Sequence, residues 1–119
     1  MNTTMQRPTG LYDVADLETF YGIVQMDRLS IWMADSQSCW SCKRLRERYR
    51  RLASVYEGRA EFCRIGREFA PAVCDVLNVG VAPATFAFRC GKALDWPWPV
   101  GVPAKSEAQH RTWLERHAG

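Results

Sequence analysis

Two cysteines three positions apart, in Ser38-Cys39-Trp40-Ser41-Cys42-Lys43, are the residues of this 119-residue chain whose type and spacing point most directly to chemistry. They lie between a short apolar run, Leu29 to Ala34, and an arginine-rich helical pattern. A thiolate at the head of a helix faces backbone N–H groups without intrahelical partners and the positive end of the helix dipole. Its pKa falls, and it becomes nucleophilic near neutral pH. Cys39 sits where that effect is largest, with Lys43 and Arg44 close by in sequence. Cys42, one helical turn on, is placed to attack a mixed disulfide formed on Cys39 and to release the reduced substrate. The competing reading of the pair is half of a zinc site, completed by Cys63, Cys74 or a histidine. No second Cys-x-x-Cys is present, and neither His110 nor His117 has a close metal-ligand partner, so no metal is expected.

The elements that must position this pair are legible from periodicity. Gly10 to Val14 reads as a short strand. Leu17, Phe20, Tyr21 and Val24 then recur at helical spacing, with Asp13 or Asp16 as cap. Leu29-Ser30-Ile31-Trp32-Met33-Ala34 has the length and composition of a buried strand. After Cys42, Leu45, Tyr49, Leu52 and Tyr56 keep an apolar stripe, while Lys43, Arg44, Arg46, Arg48, Arg50 and Arg51 occupy the other faces. Ala60 to Gly66 alternates as a strand, with Phe62 and Arg64 on one face and Cys63 and Ile65 on the other. Pro71 suits the first turn of a short helix whose apolar face is Val73, Val76 and Leu77. Ala84 to Arg89 and Lys92 to Leu94 form a hairpin about Cys90-Gly91. Trp96-Pro97-Trp98-Pro99 belongs to a loop or edge, since each proline removes a ladder donor. Ser106 with Gln109 reads as the capping box of a last helix, whose inner face carries His110, Trp113, Leu114 and His117.

Composition narrows the class. Hydrophobic residues make up 47% and charged residues 24%, which suits one domain over residues 10–119 behind a flexible N-terminal arm, 1–9. The apolar runs are too short to cross a membrane and residues 1–10 lack a signal-peptide pattern, so the expected location is cytoplasmic. Five cysteines without dense spacing fit a reducing compartment. A net charge of +3 does not make the whole surface a nucleic-acid footprint. The arginine run could meet an acidic partner, glutathione carboxylates or nucleic acid, but without aromatic interleaving it reads as a solvated helix face. Trp96 and Trp98 could dock a partner or cover a core edge. Cys63 and Cys74 read as small core residues, and Cys90 as an exposed thiol in a turn.

With this order of elements, the chain resembles the thioredoxin family over nearly everything after Gly10. Three features carry the resemblance: the Cys-x-x-Cys after an apolar strand, Val81-Ala82-Pro83 leading into Ala84-Thr85-Phe86-Ala87-Phe88-Arg89-Cys90-Gly91, and a terminal helix with Ser106, Gln109 and the adjacent pair Trp113-Leu114. It implies an α/β thioredoxin fold, a central mixed sheet of four to five strands with helices on both faces. It also implies a thiol-disulfide oxidoreductase, in which Cys39 is the nucleophile and Cys42 the resolving thiol. Trp40, Ala82 and Pro83 line the substrate groove, with a cis peptide before Pro83. The implied partners are disulfide-containing proteins and an external reductase or glutathione. No bound cofactor is needed beyond the reversible Cys39–Cys42 disulfide.

Several residues depart from the family pattern. Met33 falls where the family keeps a buried carboxylate that assists the resolving thiol, so that base is expected to be missing and resolution slow. Arg64 falls where the family has a neighbouring lysine, leaving a positive charge without its partner. Trp40-Ser41 replaces Gly-Pro, and Ser38 replaces an aromatic residue. Because Ser41 can donate to the Cys39 thiolate and no proline restricts the local N–H groups, the pair is expected to be more oxidising than thioredoxin. The rival from another class is a thioredoxin-fold adaptor whose basic helix or Trp96-Pro97-Trp98-Pro99 loop binds a partner, with weak or vestigial redox activity.

Overall fold

A computed structural model describes residues 10–97 and 104–118, with side chains from Glu107 onward in the second stretch. The expected N-terminal arm, Trp98 and Pro99 lie outside these residues. The elements follow the order β1 (Tyr12–Asp13), α1 (Leu17–Val24), β2 (Leu29–Asp35), α2 (Trp40–Val55), β3 (Ala60–Gly66), α3 (Pro71–Leu77), β4 (Ala84–Arg89), β5 (Lys92–Leu94) and α4 (Ala104–His117).

The strands form one mixed sheet in the order β1-β3-β2-β4-β5. β1, β3 and β2 run parallel; β4 is antiparallel to β2, and β5 to β4. Strand β2 lies at the centre, hydrogen-bonded on both sides and buried at all seven positions. That explains its nearly continuous apolar run, since neither face of such a strand meets water. Its side chains divide by parity between two cores. Leu29, Ile31 and Met33 pack with Leu45, Tyr49 and Leu52 of α2 and Trp113 and Leu114 of α4. Trp32 and Ala34 pack with Phe20 and Val24 of α1 and Val73 and Cys74 of α3. Trp32 keeps its indole N–H satisfied by donating to the Ser30 hydroxyl at 2.8 Å, and Phe20 meets its ring edge-on.

The local signals act as the sequence reading expects at most joints. Asp16 caps α1 by accepting from the Thr19 amide at 2.9 Å. Pro71 opens α3, and Asn78 ends it in the left-handed conformation. In the β4–β5 turn Cys90 and Gly91 both have positive φ (53° and 78°), the geometry of a two-residue hairpin loop. Two expectations need correction. α4 begins at Ala104, so Ser106 lies inside its first turn rather than capping it. Val76 is exposed, and Cys74 takes the buried place on α3, because the helix turns Val73 and Cys74 toward α1 and β2.

The C-terminal layer is an aromatic assembly. Trp96 is buried, so of its two alternatives it takes the structural one. Its indole N–H donates to the Tyr49 hydroxyl at 2.8 Å, and its ring stacks on His110 at 4.3 Å. His110 is fully buried, with Nε2 at 2.9 Å from the Pro97 carbonyl. That bond makes Nε2 the protonated nitrogen, and Nδ1 has no partner among the described residues. Protonating Nδ1 would place an unpaired cation in the core, so burial pushes the His110 pKa down to about 4 from an ordinary 6.5. The unfolded chain takes up this proton near 6.5 and the folded one only near 4. The stability conferred by neutral His110 is therefore present above pH 6.5 and lost as pH falls through 4. Urea unfolding between pH 7 and 4 is expected to lose about 2–3 kcal/mol from this group, and His110→Gln to flatten that slope. Equal slopes for the two proteins would contradict the assignment.

Candidate active site

The site begins where β2 ends. Residues 36–38 leave the sheet and turn into α2, and the Cys39 amide donates to the Ser36 carbonyl at 3.2 Å. The turn is tied to the segment after β3: one Glu68 carboxylate oxygen accepts from the Ser36 hydroxyl at 3.1 Å and from the Gln37 amide at 3.3 Å. Backbone N–H bonds, its own first and then that of Gln37, hold the Glu68 pKa below the usual carboxylate range.

Cys39 is the N-cap of α2. Its sulfur accepts from the Cys42 amide at 3.2 Å, using one of the first-turn N–H groups that a helix leaves without partners. A thiolate formed here keeps that donor and the positive end of the helix. The two cysteines are joined in a disulfide, with Cα atoms 5.3 Å apart. They differ in access: Cys39 is partly exposed and Cys42 fully buried. The Ser41 hydroxyl lies 3.7 Å from the Cys39 sulfur. Trp40 projects into solvent with 79% of its surface exposed, and Lys43 and Arg44 lie on the exposed side of the helix.

The peptide between Ala82 and Pro83 is cis, as the resemblance implies. Ala34 of β2 pairs with Ala84 of β4, so Pro83 reaches the same end of the sheet from which residues 36–38 depart. Cys39 and Ala82 both border the core cluster that contains Cys42 and Met33. Val81, immediately before them, is exposed. The candidate residues Cys39, Trp40, Ser41, Cys42, Lys43 and Arg44 thus occupy one helix head, with Ala82 and Pro83 at the same edge of the sheet.

Arg64 differs from expectation. It is no unpartnered cation: its Nε donates to Asp35 at 2.6 Å and its Nη1 to Asp13 at 3.0 Å. Arg46 of α2 donates to the same Asp35 oxygen. Met33 is fully buried and apolar, while the buried carboxylate at this end of β2 belongs to Asp35, two residues on. Sequence reading missed Asp35 because it ends the apolar run and looked like a loop residue. No local signal marked it, because its partners Arg46 and Arg64 stand on other elements.

The basic helix is also less solvated than expected. Arg48 is buried with its Nε 3.6 Å from Glu107, and Arg51 and Arg111 pair with the same carboxylate. Cys63 and Cys74 are buried, and burial raises the Cys74 pKa. Cys90 is exposed, and its hydrogen bond to the Asp27 carboxylate raises its pKa, which disfavours the reactive thiolate. Among the described residues no group of three or more His, Cys, Asp or Glu side chains is arranged to hold a metal ion, and no helix is long and apolar enough to cross a membrane.

No protein-family profile matches the chain, and no curated protein sequence matches it significantly. Solved structures do. The thioredoxin of Trypanosoma brucei brucei superposes with a TM-score of 0.77 at 19% identity, covering 93% of this chain and 96% of that one. The thioredoxin of Malassezia sympodialis gives 0.76 at 11% identity, over 99% and 100% of the two chains. The first thioredoxin domain of mouse protein disulfide-isomerase A4 gives 0.73 at 14% identity, over 96% and 79%. At these identities the likeness is one of architecture, and the chain is a thioredoxin-fold protein with a Cys-Trp-Ser-Cys disulfide at the head of α2.

Proposed function

We propose that the chain is a thiol-disulfide oxidoreductase acting on protein disulfides. The observation that carries this reading is the unequal access of two bonded cysteines at one helix head: Cys39 is open at the N-cap and Cys42 is shielded beneath it. In the dithiol form the Cys39 thiolate attacks one sulfur of a substrate disulfide. A Cys39–substrate disulfide forms, and the other substrate sulfur leaves as a thiolate that takes up a proton. Cys42, deprotonated, then attacks the Cys39 sulfur, so the Cys39–Cys42 bond forms and the second substrate thiol departs. Two electrons pass from the pair to the substrate, and an external reductase or glutathione restores the dithiol.

Access supports these roles, because a buried thiol cannot meet a folded substrate while an exposed one can. Trp40, Ala82 and Pro83 would flank the bound segment, which could add its backbone along the edge before β4. The second reading, an adaptor with little redox activity, draws on the apolar Met33 beneath the pair and the exposed Trp40 and Val81. Burial of Trp96 removes that side chain from any docking patch.

Insulin-disulfide reduction with dithiothreitol separates the two readings. Wild type is expected to accelerate precipitation, with Cys39→Ser at the dithiothreitol background; indistinguishable rates favour the adaptor. In stopped-flow measurements Met33→Asp is expected to resolve the mixed disulfide faster than wild type, at a cost in stability from burying a carboxylate. Equal rates would remove Met33 as the reason for slow resolution. Equilibration with glutathione is expected to give a potential above the roughly −270 mV of thioredoxin, lowered by Ser41→Ala. A wild-type value below that level would contradict the role given to the Ser41 hydroxyl.

A further inference from the structure

Asp35 and Arg46 bracket the cysteine pair in sequence and meet in space. Asp35 is fully buried at the last position of β2, and Arg46 lies in the second turn of α2. The bond from Arg46 Nη1 to Asp35 Oδ2 closes the segment between them, which contains the turn 36–38, Cys39 and Cys42. Arg64 of β3 donates to the same oxygen, and Asp35 Oδ1 has no partner among the described residues. Side chains three or four positions apart share a helix face, so Cys42 and Arg46 are neighbours along α2, in line with Cys39.

We infer that Asp35 and Arg46 are positioning residues that hold the head of α2 on the sheet and set the ionisation of Cys39 through two opposed charges, one fully buried and one half-buried. This rests on the oxidoreductase reading and adds the residues that tune it. A cation on the helix face below the sulfurs favours the thiolate and hence the dithiol, and a carboxylate opposes it. Asp35 is fully buried and Arg46 half-buried, which leaves this pair less screened than charges on the open surface. Other charges around the pair are Lys43, Arg44 and Glu47 on α2 and Glu68 on the segment that anchors the turn; Arg64 and, behind it, Asp13 face Asp35 from β3 and β1.

The two charges give variants with opposite signs. Arg46→Gln keeps a donor for Asp35 but leaves a buried carboxylate with one cation fewer. The pH midpoint of Cys39 alkylation by iodoacetamide is expected to rise by about half a unit, and the equilibrium with glutathione to move about threefold toward the disulfide. Asp35→Asn leaves two arginines facing no buried anion, so both readouts are expected to shift the other way. Arg46→Lys should restore most of the wild-type midpoint, since Arg46 uses a single nitrogen on Asp35. Arg28→Gln, which breaks the distant Arg28–Glu61 pair, controls for general loosening.

Shifts of the same sign in Arg46→Gln and Asp35→Asn, or no shift in either, overturn the inference. So does a shift in Arg28→Gln matching that of Arg46→Gln. Should Arg46→Gln fail to fold, the sign of the Asp35→Asn shift and the Arg46→Lys midpoint decide the matter. A wild-type protein that exchanges no disulfide with glutathione sinks the oxidoreductase reading itself; an exchanging wild type with unmoved variants sinks the tuning alone.

Discussion

A carboxylate that must be buried at the end of a buried strand is the constraint around which the site is built. β2 runs through the middle of the sheet with no face in water, and its last residue, Asp35, shares that burial. An isolated ionised carboxylate in such a place is very costly, so the fold brings arginines from two elements to it. One of them, Arg46, comes from the helix whose cap, Cys39, follows Asp35 across the turn 36–38. The ion pair and the cap therefore fix the same helix head, one from beneath and one from its open end.

Most of the architecture was readable because it rests on short-range rules. A short apolar run marked β2, periods of 3.6 and 2 marked α2 and β3, and Pro71 and Cys90-Gly91 marked a helix start and a hairpin. The Cys-x-x-Cys marked the candidate site. What escaped is long-range pairing of charges. Asp35 with Arg46 and Arg64, and Glu107 with Arg48, Arg51 and Arg111, join positions that neither periodicity nor local spacing connects. An arginine-rich helix reads as solvated by composition alone. Tertiary structure turns part of that face inward, where Arg48 is covered and its charge is compensated from α4.

Met33 shows the opposite limit. Alignment with the family puts Met33 where a carboxylate is expected, and the structure buries Met33 fully. Alignment could not show that an acidic residue with its own arginines stands two positions later. The α4 boundary was misplaced for a simpler reason. Ser106 with Gln109 satisfies the spacing of a capping box, but Ala104 already has helical backbone, so the local signal fell one turn too late.

The parity of β2 sorts the interior into two compartments that share one backbone. Cys42, with Cys39 packed against it, belongs to one of them; the other lies under α1 and α3. Volume-conserving exchanges in that second compartment keep its packing without replacing a side chain that touches Cys42.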